Sequence, residues 1–171
     1  MPVDGDAADD LAGQHAFVKG RAHGDDAIEN GLADIGHDPF AQPGDKVAFS
    51  DGFPLLLIGQ ASLDDLSARV GRPLEMLRFR PNLVIEGSAP YAEDGWKRIR
   101  IGDVVFRIEK PCERCVFTTV DPETGSKSLN QEPLRTLATY RRTPAGVIFG
   151  QNVIAEDKGE LVPGMSISVL E

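Results

Sequence analysis

The sequence is poor in cysteine, aromatic residues and long apolar runs. Two cysteines in 171 residues exclude a small secreted domain held together by several disulfide bonds. No apolar run approaches the roughly twenty residues of a membrane-spanning helix, so no membrane partner is predicted. The first ten residues lack the basic and apolar segments of a secretory signal. Together these absences predict a cytoplasmic protein.

Positive charge is also scarce, and its distribution is uneven. The net charge is −9, and residues 1–45 hold ten acidic residues against two basic ones. The rest of the chain is nearly neutral, with seventeen acidic and sixteen basic residues. Because no basic stripe is present to neutralise a phosphate backbone, nucleic acid is not predicted as a partner.

The acidic segment also differs from the remainder of the chain in composition and in hydrophobic pattern. It is rich in Asp, Gly and Ala and shows neither helical nor strand periodicity, which predicts a flexible leader over residues 1–43. All histidines of the chain, His15, His23 and His37, fall in this leader without metal-ligand spacing. A single folded domain is predicted over residues 44–171.

That domain is predicted to be mainly β. Short apolar runs alternate with turn residues, as in Asp121-Pro122-Glu123-Thr124-Gly125, and Gly102-Asp103 joins two runs as a hairpin would. Eight short strands at this spacing predict a closed or nearly closed β-barrel. The candidate strands are 46–50, 54–59, 83–86, 97–101, 104–110, 115–120, 147–155 and 166–170.

Two helices interrupt the strand pattern. Ser62 is a candidate N-cap for the first, which ends at Gly71 and Pro73. The second begins near Pro133 and runs through Tyr140, with a proline in the position that tolerates it best. The apolar faces of both helices are expected to pack into the core.

Both cysteines fall in the motif Cys112-Glu113-Arg114-Cys115. Two thiolates are too few for an iron–sulfur cluster or a structural zinc site, since no histidine accompanies them. The motif therefore contains either one reactive cysteine or two inert, packed ones. Lys110 and Arg114 flank the pair, and neighbouring positive charge stabilises a reactive thiolate.

A second candidate segment precedes the strand at 83–86. Arg78, Arg80 and Asn82 offer two guanidinium groups and a carboxamide, which suit a phosphate or the edge of a heterocycle. An equally good interpretation is a surface loop with solvated arginines and a capping asparagine.

A succession of short motifs, in consistent order from about Gly44 to Glu171, resembles the MOSC domain, the molybdenum cofactor sulfurase C-terminal domain. Within that superfamily the chain is most similar to the branch that contains the mitochondrial amidoxime-reducing component and its bacterial relatives. The motifs are FRPN at 79–82, YAEDGW at 91–96, IGD at 101–103, CERC at 112–115, TTVDPETG at 118–125, EPL at 132–134 and FGQN at 149–152.

The resemblance implies a MOSC-type β-barrel that holds molybdenum in a pterin-based cofactor, molybdopterin. By its position in the motif, Cys115 would be the catalytic residue and the metal ligand, with Cys112 a neighbour that does not bind the metal. A soft thiolate suits such a metal. The resemblance also implies a set of residues that line the cofactor, namely Arg80, Asn82, Asp51, Gly52, Glu113 and Arg114.

The implied function is an oxidoreductase that reduces N-hydroxylated small molecules, with electrons from an external flavin or iron–sulfur reductase. Two alternatives share the same cysteine or the same fold. One is a sulfur- or cofactor-carrier module in which Cys115 bears a persulfide, and the other is an inactive, truncated barrel. At the level of the family, the resemblance also implies pyridoxal phosphate binding.

Overall fold

The computed structural model describes residues 53–171 in full, together with the backbone of three short strands before them. Nine strands and two α-helices result. The strands are β1 (His15–Val18), β2 (Leu32–Asp34), β3 (Lys46–Ala48), β4 (Leu55–Gly59), β5 (Leu83–Glu86), β6 (Arg98–Ile101), β7 (Val104–Glu113), β8 (Ile148–Ala155) and β9 (Met165–Val169). The helices are α1 (Gln60–Val70) and α2 (Leu134–Tyr140).

Six of these strands form one curved sheet in the order β5-β4-β8-β7-β6-β9. The β4–β5 pair is parallel and the other pairs are antiparallel. Within 53–171 this sheet is an open half-barrel, so the predicted closure of the barrel is not achieved by these six strands alone. The two edges, β5 and β9, are joined only through the backbone of β1, which pairs over four residues with β5 and over two with β9.

The predicted leader contains β1 and β2, at 15–18 and 32–34. The flexibility of this segment and the domain boundary at residue 44 stay predictions. β2 pairs with β3 in a separate two-stranded sheet.

Two apolar clusters form the core, one on each side of β4. Leu57 faces the interior of the half-barrel, and Ile58 faces the helices, because successive side chains of a strand point to opposite faces. The same alternation in β6 buries Ile99 and Ile101 and leaves Arg100 exposed. The helix-side cluster includes Phe79, whose ring centroid lies 4.6 Å from that of Phe149.

Helix α1 is capped differently from the prediction. Gly59 occupies the N-cap position without a side-chain cap, and Ser62 lies inside the helix. The missing cap is supplied by Glu93, whose Oε1 accepts hydrogen bonds from the Gly59 N–H at 3.1 Å and the Ser62 hydroxyl at 2.7 Å. The predicted start of α2 is confirmed, with Pro133 as its N-cap residue. No helix in the described residues is long and apolar enough to cross a membrane.

The predicted strand at 115–120 is wrong. Residues Val116–Thr119 form a 3-10 turn that begins after Cys115, although their β-branched and aromatic composition favours a strand. The turn predicted at 121–125 is confirmed, with the Gly125 N–H donating to the Asp121 carbonyl and Gly125 in the left-handed conformation.

We expect Glu93→Ala to lower the free energy of unfolding by about 2–4 kcal/mol, because two buried donors lose their acceptor. Glu93 is 1% exposed, so water does not replace the lost bonds. Urea denaturation measures the change. The matched control is Glu160→Ala, an exposed position expected to stay within about 0.5 kcal/mol of the wild type. Equal effects of the two substitutions would contradict the capping role.

Candidate functional site

Two 3-10 turns place the predicted site residues. Arg80 is the C-cap residue of the turn Met76–Phe79, and Cys115 is the N-cap residue of the turn Val116–Thr119. The first turn is anchored in the helix-side core by Phe79. The two turns pack against each other, so the arginine that ends one and the cysteine that begins the other belong to the same region of the surface.

Arg114 ties the two turns together. Its Nη2 donates to the Phe79 carbonyl at 2.9 Å, and its guanidinium carbon lies 5.5 Å from the centroid of the Phe79 ring. Its Nη1 lies 3.1 Å from the Cys112 sulfur, and its backbone N–H donates to the Val147 carbonyl at 2.7 Å. The guanidinium predicted to line a cofactor is therefore half-buried and holds the protein's own groups.

Arg78 makes a second tie between the turns. Its Nη1 donates to the carbonyls of Val120 at 2.6 Å and Thr118 at 3.4 Å, and its Nη2 lies 3.4 Å from the Asp121 carboxylate. The side chain is 4% exposed. The sequence predicted that Arg78 is either a ligand contact or a solvated loop residue. The structure shows neither of these roles for Arg78. Arg78 stabilises the turn that follows Cys115.

The two cysteines have different surroundings. Cys115 is exposed, and its thiol has no hydrogen-bond partner among the described residues. Its carbonyl accepts from both the backbone N–H and the hydroxyl of Thr118, at 3.2 and 3.0 Å, which fixes its backbone. Cys112 is half-buried, receives the hydrogen bond from Arg114 and lies 3.7 Å from the Glu113 carbonyl. Cys115 is thus the thiol that is available to a ligand.

Arg80 and Asn82 follow the first turn and precede β5. Arg80 has φ +55°, its backbone N–H donates to the Leu77 carbonyl at 3.1 Å, and its guanidinium is exposed without a partner in 53–171. Asn82 is also exposed, but its Oδ1 accepts from the Leu56 N–H at 2.8 Å. The backbone N–H of Asn82 donates to the Leu56 carbonyl. Only the carboxamide nitrogen of Asn82 is left for a ligand.

The remaining predicted residues contribute less. Glu113 ends β7, is exposed and pairs with Ile148 across the sheet. Its Cγ lies 3.5 Å from the position that a Cβ at Gly146 would occupy. Asp51 and Gly52 lie outside the described residues.

Three exposed apolar side chains lie on the two turns, and the sequence did not indicate them as functional. Leu77 and Val116 are each 48% exposed and Phe117 is 73% exposed. Val116 and Phe117 follow Cys115 directly, and Leu77 lies in the turn that ends at Arg80. The sequence pattern assigned Val116 and Phe117 to a strand, where an alternating side chain would be buried. In the 3-10 turn both remain accessible.

The described residues contain no group of three or more His, Cys, Asp or Glu side chains that could hold a metal ion.

Comparison with known proteins identifies relatives over most of the chain. Residues 44–168 match the MOSC domain family. Mitochondrial amidoxime-reducing component 1 is 39% identical in Homo sapiens, over 75% of this chain and 40% of the relative, and 44% identical in Danio rerio, over 74% and 40%. Molybdenum cofactor sulfurase of Oryza sativa subsp. japonica is 37% identical over 72% of this chain and 17% of that protein. The chain thus spans about two fifths of the length of the amidoxime-reducing components.

A solved structure supports the fold. YiiM from Geobacillus stearothermophilus superposes with a TM-score of 0.51 at 17% identity, covering 70% of this chain and 55% of that chain.

We expect Arg114→Lys to lower the free energy of unfolding by about 1–3 kcal/mol, because lysine has a single nitrogen in place of the two that contact the Phe79 carbonyl and the Cys112 sulfur. Thermal or urea unfolding of the isolated protein provides the measurement. Arg80→Lys is the matched control, expected within about 0.5 kcal/mol of the wild type since the Arg80 guanidinium has no partner in 53–171. A larger effect at Arg80 than at Arg114 would reverse the assigned roles.

Proposed function

Because the chain belongs to the MOSC domain family, we propose that it is a molybdenum-cofactor-dependent oxidoreductase domain that reduces N-hydroxylated small molecules. Relatives named amidoxime-reducing component and molybdenum cofactor sulfurase support a role associated with that cofactor. The observation that carries the proposal is the exposed Cys115 thiol, which begins a turn that packs against the turn ending at Arg80.

The residues present fit a pterin-based molybdenum cofactor. An accessible thiol is a soft ligand, and a single protein ligand is enough for a metal that a cofactor already holds. The planar guanidinium of Arg80 and the carboxamide nitrogen of Asn82 supply donors for the acceptors at the edge of a pterin. The donor set is therefore one metal ligand with two hydrogen-bonding groups beside it.

In this proposal each residue has a positioning or binding task. Cys115 binds the metal through its thiolate, with its backbone fixed by Thr118. Arg80 and Asn82 orient the cofactor, and Arg114 maintains the spacing between them and Cys115. When bound, the cofactor supplies the transfer of an oxygen atom and two electrons. Preorganised groups of this kind need little rearrangement on binding.

Electrons are proposed to come from a separate flavin or iron–sulfur protein. The exposed Leu77, Val116 and Phe117 beside Cys115 provide apolar surface at which a small substrate can approach. Pyridoxal phosphate does not appear in the names of the relatives given above and is not part of the proposed function.

One observation favours a second function. The Cys115 thiol is exposed and without a partner in the described residues, as a persulfide carrier requires, and a molybdenum cofactor sulfurase is among the relatives. In this alternative Cys115 bears a sulfane sulfur, and retention of molybdenum is not needed.

Replacement of Cys115 by alanine should abolish molybdenum retention in protein purified from a host that makes the cofactor, because the only protein ligand is lost. Cys112→Ala should retain most of the metal, since Cys112 contacts Arg114 and Glu113 instead. Metal analysis of the two variants and the wild type decides the assignment. Identical losses would refute it, and a metal-free wild type with a cyanide-labile sulfur would favour the carrier.

Arg80→Lys tests the cofactor contact, because a lysine keeps the charge but not the planar donor fork. We expect bound pterin, measured by fluorescence of its oxidised form, to fall at least about threefold, which corresponds to a loss of at least about 0.6 kcal/mol of binding free energy. If Arg80→Lys has the same free energy of unfolding as the wild type, the loss of pterin reflects weaker binding and not impaired folding. Unchanged pterin content would remove Arg80 from the site.

A further inference from the structure

A polar cavity lies outside the site described above, between the end of α1 and the loop after the turn Val116–Thr119. Its volume is about 210 Å³. Three cationic side chains, one carboxylate and several hydroxyl groups form its wall. The lining residues are Arg72, Arg78, Thr119, Asp121, Thr124, Ser126, Lys127 and Ser128.

The cations of this cavity are incompletely neutralised. Arg72 and Lys127 are exposed, and neither forms an ion pair with any residue in 53–171. The whole residue Arg78, backbone included, is 7% exposed. Its Nε is buried without a hydrogen-bond partner among the described residues. Within the described residues, the one carboxylate near Arg78 is that of Asp121, whose Oδ2 lies 3.4 Å from its Nη2.

Asp121 is the only acidic residue of the wall, and its oxygens are occupied. Its Oδ1 accepts from the backbone N–H groups of Glu123 and Thr124 at 3.1 and 2.9 Å, and from the Thr124 hydroxyl at 3.0 Å. Its Oδ2 faces Arg78. The hydrogen bonds from Thr124 hold the pKa of Asp121 below its ordinary value, so the carboxylate stays charged. The wall of the cavity contains three cationic side chains and this one carboxylate, so it carries a formal surplus of two positive charges.

The loop that carries most of the wall is ordered by backbone bonds. The Asp121 N–H donates to the Ser126 carbonyl at 2.8 Å, and the Ser128 N–H donates to the Thr119 carbonyl at 2.8 Å. Val120 and Lys127 form a β-bridge between them. This pairing fixes the positions of Ser126 and Lys127 relative to Arg78.

We propose that this cavity binds a phosphate group, either inorganic phosphate or the phosphate of a small phosphorylated molecule. The two accessible cations neutralise a dianion, and the Ser126 hydroxyl, which has no partner in the described residues, donates to it. The whole chain is strongly acidic, with a net charge of −9, so a phosphate is drawn to this cavity by local rather than overall charge.

The cavity is separate from Cys115. A 3-10 turn rises about 2 Å per residue, so the four residues Val116–Thr119 place Thr119 roughly 8 Å along the turn from Cys115. The wall of the cavity includes none of Cys115, Arg80 and Asn82, so phosphate binding can be tested on protein that lacks the molybdenum cofactor.

The test is a phosphate titration of the full chain, followed by the amide resonances of residues 119–128 and Arg72. Ionic strength is held constant with chloride. We expect saturable shifts confined to this region, and at least about tenfold weaker binding in the double variant Arg72→Ala/Lys127→Ala. The matched control is Arg100→Ala/Lys158→Ala, which removes the same charge at exposed positions away from the cavity. Arg78 is left unchanged because it supports the turn.

Absence of saturable shifts in the wild type would overturn the proposal, and so would equal weakening in the two double variants. Parallel titrations with ribose 5-phosphate and ribose distinguish the two sources of the phosphate. Binding of the ester but not of ribose supports a phosphorylated small molecule. Binding of inorganic phosphate alone supports the free ion.

Discussion

The site depends on two guanidinium groups that bond to backbone carbonyls. The 3-10 turns Met76–Phe79 and Val116–Thr119 are not strands of the sheet, so no β-ladder fixes their separation. Arg114, which precedes Cys115, donates to the Phe79 carbonyl, and Arg78 reaches from the first turn to the carbonyls of Thr118 and Val120. Carbonyls at the end of a short helix lack internal partners, and a charged donor satisfies them better than a neutral one.

These ties explain why two neighbouring arginines have opposite tasks. Arg78 lies within its turn and is directed inward, whereas Arg80 follows the turn with φ +55° and is exposed. The change to a left-handed backbone conformation at Arg80 redirects the chain before β5 begins. When burial is predicted from the sequence alone, Arg78 and Arg80 both belong to one polar segment. Local backbone conformation, which the pattern does not encode, separates them.

Much of the sheet was predictable because its signal is local. The alternation at 98–101, the Gly102-Asp103 hairpin and the proline before α2 all predict the observed elements. The failures depend on distant residues. Ser62 is not the N-cap residue of α1, because Glu93, 31 positions further along the chain, caps this helix. Residues 115–120 are not a strand, because Arg78 binds carbonyls of this segment. Closure of the half-barrel depends on β1, which pairs with strands far along the chain.

For the candidate site, the motifs indicated which residues matter but not how each is used. Asn82 and Arg114 look like ligand contacts, yet each bonds first to the protein, through Leu56 and Phe79 respectively. Cys115 and Arg80, by contrast, have no side-chain partner in 53–171. Within 53–171, neither functional group contributes a hydrogen bond or ion pair to the fold, whereas Arg78 and Arg114 do. Substitution at Cys115 or Arg80 can change chemistry at little cost in stability, whereas substitution at Arg78 or Arg114 alters the geometry on which any chemistry at this surface relies.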